Sequence, residues 1–141
     1  MPLRNRKPSL PADRRAAWQA FLDCAAVIEG GRRQLLSTLP AGRVEPAPVG
    51  VGIEALERAL QDAAAWMVTW RVPELEEAWD ACQRGIAEAV AALPAVHDVA
   101  ATTSELEELL TAVSEIVSSL DRFADAERAW RRQWRIPRDR S

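Results

Sequence analysis

Lysine is almost missing from this chain, tyrosine is missing altogether, and histidine occurs once. Of 18 basic residues only Lys7 is lysine. So one-sided a choice looks like a high-GC coding preference, and arginine richness by itself therefore argues little about function. The single histidine, His97, falls in a stretch read as a loop, "LPAVHDVA", beside Asp98. One imidazole cannot supply the Glu-x-x-His pairs that carboxylate-bridged di-iron bundles take from two helices, and it lacks the partner ligands that a metal or catalytic centre needs.

Cysteine is scarce too. Cys24 and Cys82 are too few for a disulfide scaffold, form no Cys-x-x-Cys, and suit a reducing compartment, so the expected location is cytoplasmic. Both fall on apolar helix stripes, where a thiol acts as a small buried hydrophobe. There is no glycine-rich phosphate loop and no Gly-x-Ser-x-Gly. The "GVG" at 50–52 follows a loop rather than a strand, so it is no dinucleotide fingerprint. No arginine stands shortly before His97 as in helical RNases, and no tryptophan is followed by x-Gly. Apolar runs stay well short of the ~18 residues of a membrane span. No apolar core of signal-peptide type follows the basic N-terminus. No cofactor is expected.

What is present fits one soluble α-helical domain. The chain has 141 residues, 48% of them hydrophobic and 28% charged, a size and balance that support a real core. Net charge is −3, unevenly placed. Residues 1–15 sum to +4, residues 128–141 to +5, and the stretch between them to −12. Strand-type alternation is absent, whereas four segments repeat apolar residues three and four apart. The first runs from about Ala12 to Leu39 through Trp18, Phe21, Leu22, Ala25, Ile28 and Leu35, with a kink or break expected at Gly30-Gly31. A loop, "LPAGRVEPAPVG", separates it from the second, about Gly52 to Arg71, which carries Ile53, Leu56, Leu60, Met67 and Trp70. Pro73 opens the third, whose stripe is Leu75, Trp79, Cys82, Ile86, Val90 and Leu93; Pro94 is expected to end it. Ser104 and Glu107 form a capping box for the fourth, which runs through Leu109, Val113, Ile116, Leu120 and Phe123 to about Trp134.

The fold class expected is therefore all-α: an antiparallel up-down-up-down four-helix bundle with the first and fourth helices longest. Residues 1–11 are read as a basic flexible tail, 12–136 as the single bundle domain, and 137–141 as a basic C-terminal tail. This topology brings both basic segments to one end. A swapped or side-by-side homodimer is the alternative arrangement.

Two constellations carry candidate chemistry. Glu54-x-x-Glu57 in "IEALERAL" and Glu77-x-x-Asp80 in "LEEAWDA" resemble the Glu-x-x-Glu…Glu-x-x-Asp signature of the all-α nucleotide pyrophosphatases of the MazG type. That resemblance implies four carboxylates holding magnesium and a nucleoside triphosphate. Against it, a hairpin turn near Val72 puts Glu57 and Asp80 roughly 10 Å apart along the bundle at the helical rise. The second constellation is "RAWRRQWRIPRDR", arginine interleaved with tryptophan. On a helical wheel Trp130 and Trp134 continue the core stripe and should pack against the first helix, Trp18 included, with their indole N–H groups needing acceptors. Arg128, Arg131, Arg132 and Arg135 fall on a solvated flank. Glu127 falls within the stripe and is expected to pair with Arg14 or Arg15.

The chain is thus read as a non-enzymatic interaction module, an adaptor or assembly subunit, with a protein partner or a second copy as its occupant. Its working residues would be Arg14, Arg15 and the four arginines of the last helix, with Trp66 marking an exposed apolar strip. The alternatives are the magnesium-dependent pyrophosphatase and a nucleic-acid-binding small subunit. The acidic middle of the chain disfavours nucleic acid.

Overall fold

The computed structural model describes residues 7–39, 46–102 and 105–136. The expected tails at 1–6 and 137–141, residues 40–45 of the loop and Ser104 of the capping box lie outside those residues. The described chain is all-α: α1 (Ala12–Ser37), α2 (Pro46–Trp66), α3 (Glu76–Thr102), α4 (Leu106–Leu120) and α5 (Arg122–Gln133), with short 3₁₀ turns at Met67–Trp70 and Pro73–Leu75. Because α4 and α5 continue one another across Asp121, they form the two halves of a fourth rod.

Register pairs fix the arrangement. Cys24 lies against Ala63, Gly31 against Leu56 and Ala59, and Gly52 against Leu35, so α1 and α2 run oppositely. The Trp79 indole N–H donates to the Met67 carbonyl at 2.7 Å across the α2–α3 turn. Gly85 meets Ser119, and the Cys82 thiol donates to the Arg122 carbonyl at 3.5 Å, so the fourth rod runs back along α3. Trp18 with Trp130 and Phe21 with Phe123 close the bundle. Neighbouring rods alternate in direction, up-down-up-down.

The core is one continuous apolar cluster drawn from every rod, with no buried polar or charged residue among the described ones. Each helix contributes the face that its three-four spacing defines, except that Ala89 and not Val90 carries the α3 stripe between Ile86 and Leu93, and Val90 is exposed. The closest backbone approaches occur where side chains vanish. A Cβ on Gly31 would stand 2.6 Å from the Ala59 methyl, one on Gly52 would stand 2.9 Å from Leu35 Cα, and one on Gly85 would stand 2.5 Å from the Ser119 carbonyl oxygen.

Several sequence expectations change here. The first helix passes through Gly30-Gly31 unbroken, because Gly31 is a packing contact with α2 rather than a hinge. The second helix starts at Pro46, not near Gly52: proline suits a first helical turn, and Val49, fully buried, extends the Ile53 and Leu56 stripe backwards. Pro94 does not stop α3. The helix runs on to Thr102 for 27 residues in all, so it matches the 26 of α1 and the Leu106–Gln133 span of the fourth rod, and the first and fourth helices do not stand out by length. Proline removes one donor and costs about 3 kcal/mol in a helix interior. Here Pro94 is exposed while Leu93, Val96 and Ala100 stay buried, so the core stripe carries the helix past it. His97 therefore sits on an exposed helical face, not in a loop.

Candidate functional site

Residues 7–11, read as part of a free tail, are a strap. Pro8-Ser9-Leu10-Pro11 is extended, as a residue before proline prefers. It lies parallel to the chain beyond α5: the Arg135 N–H donates to the Pro8 carbonyl at 2.8 Å and the Leu10 N–H to the Arg135 carbonyl at 3.2 Å. Leu10 is buried, Lys7 Nζ donates to the Arg131 carbonyl at 2.8 Å, and Arg135 Nη2 donates to Ser9 Oγ at 2.6 Å. The described parts of the two basic segments, from Lys7 onward and from Arg128 to Ile136, thus share one end of the bundle. The sequence signal was a lone leucine between two prolines, which earns its place only by burial.

Beneath the strap sits a ring cluster. Trp18 and Trp130 lie 5.4 Å apart between centroids, and Phe21 stacks between Trp18 at 5.5 Å and Trp130 at 6.4 Å. Trp130 and Trp134 are both buried, so the tryptophans of α5 and just beyond it face inward. Their indole N–H groups, however, find no acceptor among the described residues. Trp70 has only the Cys24 sulfur near its own, too loosely for an ordinary hydrogen bond. Each orphan donor costs on the order of 1–3 kcal/mol, which the burial of large rings outweighs.

The arginines divide into spent and unspent. Arg14 is spent on Glu74, with Nη2–Oε1 at 2.9 Å, tying the start of α1 to the turn before α3. Arg131 reaches Glu127 Oε1 at 3.1 Å, four residues back, and lies 5.4 Å over the Trp18 ring. Glu127 accordingly does not pair with Arg14 or Arg15: it sits half-exposed at the edge of the stripe and takes its own helix's Arg131, while Arg14 is held by Glu74. Arg128 pairs with Asp125. Arg15 and Arg132 are exposed and have no acidic partner among the described residues. The same end presents Trp66, 47% exposed, and Val68, 70% exposed. Val68 was not picked out by sequence, since a single valine two residues after a tryptophan carries no periodic signal. Arg71 was not picked out either; it pairs with Glu76 and covers the Trp79 ring at 4.3 Å.

The Arg14–Glu74 tie predicts a pH dependence. The hydrogen bond from Arg14 holds the Glu74 carboxyl below its ordinary value, helped by a backbone donor. A depressed folded-state pKa contributes stability above the unfolded value of about 4.3 and loses it as pH falls through the folded one. Glu74→Gln should therefore melt about 1–3 °C lower than wild type at pH 7, the scale of one partly exposed ion pair. The two should converge once the wild-type carboxyl is protonated. A gap that persists unchanged in acid would show that the ion pair is not its source.

The carboxylate constellation is not gathered. Among the described residues no three His, Cys, Asp or Glu side chains come together as a metal site would need. Glu54 and Glu57 share a shallow depression on α2 with Arg58 and Gln61, whereas Glu77 lines a different groove, between α3 and α5, with Arg122 and Arg132. Asp80 is exposed on α3 near Arg71. Cys24 and Cys82 are fully buried, and burial pushes their thiols up to about 11 and about 12, which leaves them protonated and inert at neutral pH. A groove of about 360 Å³ opens between α1 and the fourth rod, floored by Leu22, Ile28 and Phe123 and rimmed by Glu29, Arg32 and Glu127. Arg32 is already committed to Glu29. No helix of the described chain is long and apolar enough to cross a membrane.

No family model matches this chain, and neither a curated protein nor a solved structure does.

Proposed function

We propose that the protein is a non-enzymatic interaction module, an adaptor or assembly subunit of a reducing, cytoplasmic compartment, that meets a protein partner through the end where its basic segments converge. The observation that carries this is the pairing of Ser9 with Arg135. It brings Lys7, Arg14 and Arg15 together with Arg128, Arg131, Arg132 and Arg135 at one end of a chain whose residues 16–127 sum to −12. Arg15 and Arg132 stand there without acidic partners among the described residues, and Trp66 and Val68 add exposed apolar surface. Arginine with an aromatic residue is the composition of interface centres. Nucleic acid is the weaker occupant. The tryptophans that seemed to alternate with arginine are buried, which leaves no stacking platform on that helix. The magnesium pyrophosphatase would need Glu54, Glu57, Glu77 and Asp80 at one ion, but Glu54 and Glu57 line one depression, Glu77 lines another, and Asp80 lines neither.

A photoreactive residue in place of Arg132 or of Trp66, installed in the cells that make the protein, tests the reading. Protein adducts should form at both positions and not at exposed Gln34, near the far end of α1. Nucleic-acid adducts, or no adducts at either position, would overturn it.

A further inference from the structure

Resting on the reading of the basic end as an interaction surface, we infer that its partner is a second copy of this chain, met head to tail. The basic end of one copy seats on the acidic outer face of the α3–α4 hairpin of the next. From Gly85 to Asp121 the chain carries seven acidic side chains and no lysine or arginine. Of these, Asp98, Glu107, Glu108 and Glu115 are exposed and have no cationic partner among the described residues. Glu108 and Glu115 are seven residues apart, hence on one face of α4. This is the longest stretch of the described surface that presents charge of one sign, and that sign is the one the unspent arginines lack.

The two faces of a single molecule cannot satisfy each other. α3 starts beside the basic end, where Arg14 holds Glu74, and runs away from it for 27 residues. Its far turn, with the start of α4, is roughly 40 Å distant at the helical rise. The complementarity is therefore met only between molecules. Two basic ends placed face to face would repel, which disfavours a two-fold contact through that end. A basic end on an acidic flank uses different surfaces on the two copies. Such a heterologous contact repeats, into rings or open chains, instead of closing at two. Trp66 and Val68 give the head an apolar element, and Leu110 of α4, 43% exposed, gives one to the helix it meets.

Sedimentation velocity of the full chain tests this. In low salt the weight-average mass should climb with concentration past that of a dimer. It should fall to the monomer in 1 M salt, where the screening length is about 3 Å. R15E/R132E makes the head acidic, and E108K/E115K makes the flank basic; each protein alone should associate about tenfold more weakly than wild type. Mixed together they should recover association, because the basic head of one variant fits the acidic flank of the other. All four positions are exposed, so helical circular dichroism serves as the control for folding. A wild-type monomer at every concentration and salt would sink the proposal, as would a dimer that R15E/R132E leaves intact, or an E108K/E115K protein that associates like wild type. A monomer that still gives protein adducts at position 132 in cells would remove the second copy as partner and leave the basic end as an interaction surface.

Discussion

Replacing Phe21 by alanine should lower the stability of the bundle by about 3–5 kcal/mol, the cost of a deleted core aromatic. Phe21 is 1% exposed, and its ring meets four others: Trp18 at 5.5 Å, Trp70 at 5.1 Å, and Phe123 and Trp130 at 6.4 Å. These neighbours sit on α1, on the turn after α2 and on α5, so one side chain joins three elements. The backbones of α1 and α5 stay apart, while α1 lies close to α2 and α3 lies close to α4. Large rings therefore span a gap that small residues close elsewhere. Each aromatic pair adds about 0.5–1.5 kcal/mol beyond its buried area. Since a domain of this kind is stable by only about 5–15 kcal/mol, Phe21→Leu serves as a milder companion, with a loss below about 1.5 kcal/mol. Urea unfolding followed by circular dichroism reads both. An alanine variant within about 1 kcal/mol of wild type would mean that the ring cluster does not hold the fourth rod to α1.

Two adjacent glycines should respond with opposite signs. Gly31→Ala should cost about 1–3 kcal/mol, the range for overpacking a tight contact, although alanine is the better helix former. The added methyl would meet the Ala59 methyl at 2.6 Å and Leu56 Cα at 3.2 Å, and neither can move without shifting α2. Gly30→Ala, one residue earlier, has nothing within 4 Å of the added atom. It should gain up to about 1 kcal/mol from helix propensity and a less free unfolded chain. Thermal melts of the two single variants decide the matter. Equal shifts would show that propensity alone governs both sites.

The helix count, the inward tryptophans of the last rod and the meeting of the two basic segments were all legible in the sequence. They follow from spacing: Trp130 and Phe123 recur seven apart with Ile116 and Leu109, and such a stripe has one place to go. What was not legible depends on what lies across from a residue. Gly30 and Gly31 look alike in the sequence, but only Gly31 faces Ala59. Pro94 reads as a stop by local rules, yet Val96 and Ala100 keep the stripe in register, and burial on the facing rod prevails. Glu127 invited a partner across the bundle because the wheel put it near the core; Arg131, four residues on in the same helix, was closer. The four carboxylates matched a pattern of spacing along the chain, but the structure leaves Glu54 and Glu57 in one depression, Glu77 in another and Asp80 exposed on α3. Of the candidate site, the arginines were found by composition. Which of them are unspent could be learned only from their partners.

The strap across residues 7–11 also bears on how the chain assembles. Its contact with Arg135 joins positions 126 residues apart, whereas the two hairpins close over far shorter loops. Loop-closure entropy grows with the logarithm of length, so the hairpins α1–α2 and α3–α4 should form first, each from local contacts. Bringing α1 onto α5 then buries Phe21 and Trp130 together, and the strap fastens last. Quenching of tryptophan fluorescence should accordingly trail the recovery of helical signal in refolding, and simultaneous recovery would contradict that order. A contact that forms last on the way in is the first to open on the way out, so the end that carries the unspent arginines is also the end where the bundle begins to come apart.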